Sequence, residues 1–315
     1  MRYGCIRPIV AAAWGVSVVG AVGCINPKSI PDAEPPPLRS TAEIIETIAA
    51  NSRLLDRALW SAGVAVTARF RDSHDREHVY NLDSNFLFAG PASLRMDLRP
   101  GLGDRVMQIG SNADDYWVWI EPELGMMRWG RHRHVGKPCA EHLAIRPDQV
   151  AAALGVGDLR SPAAGVIGPA RVYGKTYDKL VYWRVVPDGG YVVDHEYWVD
   201  RVRPYLIRVV LFRDGFGRRA MSAFLDDYRP AWDGGPLFAH HINIDWPQDD
   251  GKFTMRIGRM RGVEDVSPAK FARPGVDDLP ADVTDIVQVD AACDTPDEPA
   301  GPGPGSRITP QNGGD

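Results

Sequence analysis

The sequence predicts an α+β fold, in which a strongly curved antiparallel sheet of about 10–12 strands wraps over an N-terminal helix and a short second helix. Three observations predict this fold: a capped amphipathic helix, many short alternating segments between turn residues, and segments that are apolar on both faces. A sheet with one face open to water should alternate between apolar and polar residues. Both faces of this sheet are therefore expected to be covered.

The first predicted helix begins at the capping-box pattern Ser40-Thr41-Ala42-Glu43, in which two side chains bind free backbone N–H groups. Apolar residues follow at intervals of three and four, as on one face of a helix, up to Leu59. This spacing predicts a helix of about 18 residues that ends before Gly63. A second helix is predicted over 147–154, with Pro147 in its first turn.

After Gly63 the apolar period changes to two, which is typical of strands. Runs such as 78–88 and 94–99 are separated by Gly, Asn, Asp and Pro, as in antiparallel meanders. Residues 116–120 and 205–212 are apolar on both faces, so that a curved sheet with an apolar lumen and a sheet over a filled core both fit them. On the basis of alternation, the residues predicted to bind a ligand in such a lumen are Phe86, Phe88, Trp117, Trp119, Trp183 and Leu211.

The two ends of the chain differ from its body. A basic start and a short apolar run predict a signal peptide over 1–23, too short to span a bilayer. Residues 24–39 contain five prolines and predict an extended tether, and 293–315 are rich in Pro and Gly and predict a disordered tail. The folded body is thus expected over 40–292.

Small residues before Cys24 resemble a bacterial lipobox, although Ala21 stands where that pattern prefers Leu. The resemblance implies that Cys24 carries acyl chains, which anchor the protein in a membrane. The absence of an acidic residue after Cys24 favours the outer membrane, facing the periplasm, by the sorting rule of enteric-type bacteria. An ordinary cleaved signal peptide is the alternative.

Cysteine use leaves one pairing open. Cys5 would leave with the signal peptide and Cys24 would carry lipid, so that Cys139 and Cys293 remain. They would be able to form a disulfide in an oxidising compartment. The place of Cys293 at the edge of the predicted tail is equally consistent with a free thiol.

The order of the elements resembles the outer-membrane lipoprotein carrier and receptor superfamily of the LolA/LolB type, over about Ala42 to Phe271. The segments that carry the resemblance are TAEIIETIAANSRLL, FLFAGPASLRMDLRPG, VMQIGSNADDYWVWIEPELGMMRWG, PDQVAAALG, YWVDRVRPYLIRVVLF and INIDWP. It implies an incomplete β-barrel that shelters acyl chains. Receptors of this family use a protruding apolar loop; here Leu124-Gly125-Met126-Met127 offers such a loop or part of a strand, and a strand is favoured.

The composition and motifs argue against other classes of function. There are 36 Lys and Arg against 41 Asp and Glu, so that the net charge of −5 favours no nucleic-acid partner. Common nucleotide, hydrolase and zinc motifs are absent from the sequence. His132, His134, Cys139 and His142 match no common zinc spacing. On a strand, Asp194 and Glu196 would share one face and His195 would take the other.

Together these features predict a protein without catalytic residues, cofactor or metal site. Its expected role is that of a membrane-anchored periplasmic lipoprotein that binds a lipid or a lipoprotein acyl chain in an apolar lumen, in envelope lipid or lipoprotein trafficking. The alternative is a structural or partner-binding envelope lipoprotein with a filled core. A metal-dependent hydrolase at His132, His134 and His142 is a distant third.

Overall fold

The computed structural model describes residues 38–294, except 73, 91, 122–123, 136, 138, 142, 144, 157–158, 160–164, 187–188 and 204–205. The predicted signal peptide, Cys24, most of the tether and the tail from residue 295 lie outside the described residues. None of the described helices has the length and the apolar character needed to cross a membrane.

Two α-helices are present in the described part, α1 (Thr41–Arg53) and α2 (Pro147–Ala153). The capping box at the start of α1 is confirmed, because Glu43 N donates to Ser40 Oγ at 3.2 Å and Ser40 N donates to Glu43 Oε2 at 2.6 Å. The predicted length of α1 is wrong: the helix has 13 residues. Ala58 and Leu59 belong instead to the first strand, where they pair with Val263 and Gly262.

Fifteen strands form one sheet in the described residues, more than the 10–12 expected. The strands are β1 (Ala58–Arg71), β2 (Glu77–Phe88), β3 (Leu94–Arg99), β4 (Met107–Ser111), β5 (Asp115–Ile120), β6 (Met126–Arg131), β7 (Val166–Val172), β8 (Tyr177–Val185), β9 (Tyr191–Asp200), β10 (Ile207–Arg213), β11 (Arg219–Pro230), β12 (Leu237–Trp246), β13 (Gly251–Ile257), β14 (Arg261–Val263) and β15 (Asp285–Gln288).

The strand order is β15-β6-β5-β4-β3-β2-β1-β13-β12-β11-β10-β9-β8-β7, with β14 added to β1. All pairs are antiparallel except β15 with β6. The β15 and β7 strands are the two ends of this order, so that the sheet is not closed within the described residues. The predicted class, a curved antiparallel sheet with two helices, agrees with this architecture.

Contacts of α2 demonstrate the curvature. The helix contacts both β4 and β12, between which β3, β2, β1 and β13 lie in the sheet. Five interstrand steps correspond to roughly 24 Å along a flat sheet, whereas a helix is only about 10–12 Å wide. One helix reaches both strands only because the sheet bends around it. We call the helix-bearing side of the sheet the inner face and the opposite side the outer face.

Most of the inner face is filled by one apolar cluster. It includes Ile44 and Ile48 of α1, Val150 of α2, and side chains from most of the strands. Trp246 Nε1 donates to Gln149 Oε1 at 2.5 Å and thereby ties β12 to α2. Most of the apolar interior is therefore a packed core rather than an open lumen.

The outer face of β5 carries a separate apolar cluster. Trp117 and Trp119 are completely buried there with Met127 and Val283. Gly110 lies opposite Trp117, where a Cβ atom would come within 2.1 Å of the indole ring. The C-terminal segment, which we define as residues 276–294, contributes Val283 and Leu279 to this cluster. This segment explains why β5 is apolar on both faces.

Candidate functional site

A cleft of about 500 Å³ opens beside the β1–β2 turn and the β12–β13 turn, next to strands β5 and β6. Its wall is apolar and is formed by Phe70, Val118, Ile120, Leu124, Met126, Leu143 and Ile145. Its remaining lining is charged or polar and is formed by Arg71, Asp72, His74, Arg76, Arg128, Asp249 and Asp285. Ligand pockets typically have volumes of about 300–1,000 Å³, so this cleft has the volume of a binding site.

The register of β5 and β6 places the wall of the cleft. Val118 lies opposite Arg128 and Ile120 lies opposite Met126, so that these four side chains share the inner face. The intervening Trp117, Trp119 and Met127 point to the outer face and its cluster. Met126 and Met127 thus lie in a strand, as the sequence favoured.

Asp72 organises the β1–β2 turn at the mouth of the cleft. Its Oδ1 accepts hydrogen bonds from the backbone N–H groups of His74 and Arg76 at 2.8 and 3.0 Å. Its Oδ2 accepts from Arg76 Nε at 2.8 Å and lies 3.1 Å from His78 Nε2. Burial raises the pKa of Asp72, but these hydrogen bonds outweigh it and hold the pKa well below its ordinary value. The turn therefore keeps a charged, ordered rim.

The six predicted lining residues do not lie together. Phe86 and Phe88 are completely buried in the main cluster of the inner face, with ring centroids 6.4 Å apart. Trp117 and Trp119 lie in the outer cluster. Trp183 and Leu211 are half-buried.

None of these six residues, all within the described part, lines the cleft. Alternation alone does not select a face when both faces of a strand are apolar, because the covering segment is distant in sequence. The lining residues Val118 and Ile120, which alternation did not select, occupy the alternate positions of the same strand. From the sequence alone, they formed the other possible lining face of this strand, opposite Trp117 and Trp119.

The histidines near Cys139 have separate partners. Cys139 forms a disulfide with Cys293, with an S–S distance of 2.09 Å. His134 Nδ1 hydrogen-bonds Asp290 at 2.7 Å, and His132 Nε2 lies 3.1 Å from Ser111 Oγ. Within the described ranges, no group of three or more His, Cys, Asp or Glu side chains is placed to hold a metal ion. The predicted His142 lies outside those ranges.

Asp194, His195 and Glu196 follow one another in β9 but have different partners. His195 stacks on Tyr182 with ring centroids 4.3 Å apart, yet its Nδ1 reaches Asp194 Oδ2 at 2.7 Å. Burial raises the pKa of Asp194, but His195 and Arg184 outweigh it and lower the pKa. Glu196 instead pairs with Arg213 at 2.8 Å. The two carboxylates therefore have separate cationic partners.

Several solved structures are similar to this chain. A LolA superfamily protein from Nitrosomonas europaea has 12% identity and a TM-score of 0.43, over 73% of this chain and 97% of that chain. A putative outer membrane lipoprotein-sorting protein domain from Vibrio parahaemolyticus has 12% identity and a TM-score of 0.43, over 72% of this chain and 95% of that chain. A DUF1329 family protein from Desulfovibrio piger has 12% identity and a TM-score of 0.44, over 73% of this chain and 95% of that chain.

No protein-family model and no curated protein matches this chain. The function is therefore inferred from the side chains of the cleft.

Proposed function

We propose that this protein binds an acyl chain of a lipid or a lipoprotein in the cleft, without catalysis. The observation that carries the proposal is a cleft of about 500 Å³ with an apolar wall, on the inner face of a sheet whose core is otherwise filled. Apolar side chains continue from the main core into the wall of the cleft, so that a bound chain would extend the core. Its charged rim would leave the polar end of the ligand near water.

A substitution that fills the cleft tests this proposal. Met126 is half-buried on the wall, and a Met126→Trp variant is expected to lower the affinity for dodecanol by at least about tenfold, because the larger ring occupies the chain's space. Binding is measured by equilibrium dialysis of the full chain with radiolabelled dodecanol, an uncharged probe.

The matched control is Ile286→Trp. Ile286 lies opposite Met127 in the register of β15 and β6, is 38% exposed and does not line the cleft. This variant adds the same ring elsewhere and should bind dodecanol like the unaltered protein. Equal affinity of both variants, or no binding by the unaltered protein, would refute acyl-chain binding in this cleft.

We further propose that the protein is exported and anchored in the outer membrane by acyl chains on Cys24, with the folded body in the periplasm. The disulfide between Cys139 and Cys293 supports an oxidising compartment. Anchoring through several acyl chains would hold the cleft close to lipid. An envelope protein would be a second partner.

Metabolic labelling tests the anchor. When the full chain is expressed in a lipoprotein-producing bacterium fed alkyne-tagged palmitate, the protein should acquire the tag. A Cys24→Ser variant should lose it, because the acceptor sulfur is removed, whereas Cys5→Ser should keep it. Labelling that persists in Cys24→Ser would contradict the lipidation site.

A second candidate function is that of a structural or partner-binding envelope lipoprotein. The extent of the main cluster favours it, because most of the inner face is filled by side chains. The dodecanol experiment separates the two candidates. Absence of acyl-chain binding, together with a protein partner recovered reproducibly by cross-linking in cells, would support the second.

A further inference from the structure

Arg128 is the cation on the apolar wall of the cleft. It lies in β6 opposite Val118, two residues after Met126, and all three side chains line the cleft. Its side chain is 31% exposed, less than those of Arg71 and Arg76 at the rim, which are 40% and 63% exposed. The guanidinium is thus held beside apolar groups rather than in open solvent.

Among the described residues, the hydrogen bonding of the Arg128 guanidinium is incomplete. Its Nε is buried without a hydrogen-bond partner among the described residues. Its Nη1 lies 3.9 Å from Glu141 Oε2, and Glu141 is 63% exposed, so that this ion pair is weak. By contrast, Arg76 binds Asp72 at 2.7 Å and Arg71 pairs with Asp75 and Asp250 at 3.3 Å.

Among the described residues, Asp285 of the cleft lining forms no ion pair with Arg128. Asp285 is exposed at the start of β15, where its register partner is Met126 rather than Arg128. The residue opposite Arg128 in β15 is Val287. A buried donor without a partner is costly, and native structures rarely keep one unless a ligand, ion or water completes it. Arg128 therefore lines the cleft with a guanidinium whose ion pair among the described residues is the weak contact with Glu141.

We propose that Arg128 binds the anionic headgroup of an amphiphile, a carboxylate or a phosphate, whose acyl chain lies on the apolar wall. This inference rests on the proposed function and deepens it by naming the class of ligand. A guanidinium has a planar set of donors that matches both anions, and its hydrogen bonds to them are stronger than those between neutral groups. A fatty acid and a phosphate-bearing lipid share this chemistry.

The test compares three probes with the same chain: dodecanoate, dodecyl phosphate and dodecanol. Equilibrium dialysis of the full chain is expected to give about 10- to 100-fold tighter binding of at least one anion than of dodecanol. In Arg128→Gln this preference should disappear while dodecanol still binds, and Arg128→Lys should restore part of it. The ratio of affinities within one variant does not depend on the fraction of folded protein.

Arg208→Gln is the matched control. Arg208 is 19% exposed, has one buried guanidinium nitrogen without a hydrogen-bond partner among the described residues, and pairs with Asp226, but it does not line the cleft. Its removal should leave the anion preference unchanged.

The outcomes separate the two proposals. Equal binding of all three probes, or a preference that survives Arg128→Gln, overturns the role of Arg128 and leaves acyl-chain binding intact. Failure of every probe to bind the unaltered protein overturns both. A preference for dodecyl phosphate alone supports Arg128 and assigns the ligand to phosphate-bearing lipids, and a preference for dodecanoate alone assigns it to fatty acids.

Discussion

Replacement of Asp290 by alanine is expected to lower the free energy of unfolding by about 3–5 kcal/mol, the range for breaking a buried ionic network by removing one partner. The Asp290 side chain is completely buried. Its Oδ2 accepts from the backbone N–H of Arg131 at 2.9 Å and from His134 Nδ1 at 2.7 Å, and its Oδ1 accepts from Gln288 Nε2 at 2.9 Å. Alanine would leave these donors without a partner.

The charge on Asp290 also predicts a pH dependence. Burial raises its pKa, but the hydrogen bonds from Arg131, Gln288 and His134 outweigh it and lower the pKa below the usual 3.8. The stabilisation is therefore present above about pH 4 and is lost as the pH falls through the lower, folded-state pKa. The difference in the free energy of unfolding between the unaltered protein and Asp290→Asn should therefore decrease as the pH falls.

Urea unfolding followed by tryptophan fluorescence, repeated from pH 7 to pH 3, measures both effects. Asp277→Asn is the control, because Asp277 is exposed in the same C-terminal segment and its replacement should change stability by less than about 0.5 kcal/mol. If Asp290→Ala is as stable as this control, the network does not hold the C-terminal segment to β6.

Removal of the disulfide is expected to have an effect of similar size. The bridge joins residues 154 positions apart, so that it restricts the unfolded chain strongly. In the double variant Cys139→Ser/Cys293→Ser, the free energy of unfolding should fall by about 2–5 kcal/mol. The corresponding decrease in Tm is on the order of 10 °C.

Differential scanning calorimetry with and without a reductant provides the control. Reductant should lower the Tm of the unaltered protein toward that of the double variant and should leave the double variant unchanged. An identical Tm for both proteins under oxidising conditions would contradict a stabilising bridge.

These two predictions concern one structural unit, the C-terminal segment. Val283 and Leu279 pack on the tryptophans of β5, and β15 pairs with β6 in parallel. The Asp290 network and the disulfide hold the segment beyond β15. Because β6 also carries Met126 and Arg128 on its inner face, the segment supports the strand that forms the wall of the cleft.

Local sequence patterns determined much of the fold. The capping box at Ser40 and the proline at the start of α2 mark both helix starts because such signals act within a few residues. The two apolar faces of residues 116–120 predicted that both sides of β5 are covered, and this prediction is confirmed. Alternation also placed most strands, since the side-chain period of two is a local property.

Tertiary structure alone decided what covers each face and where the core stays open. The spacing of apolar residues up to Leu59 fits a helix as well as a strand. Pairing with β14 and β2 places Leu59 in β1. Likewise, the face of β5 that carries Val118 lines the cleft. The opposite face, which carries Trp117, is covered by the C-terminal segment, more than 150 residues later in the chain. Contacts between segments so distant in the chain leave no local pattern, so that they arise only when the whole sheet is assembled.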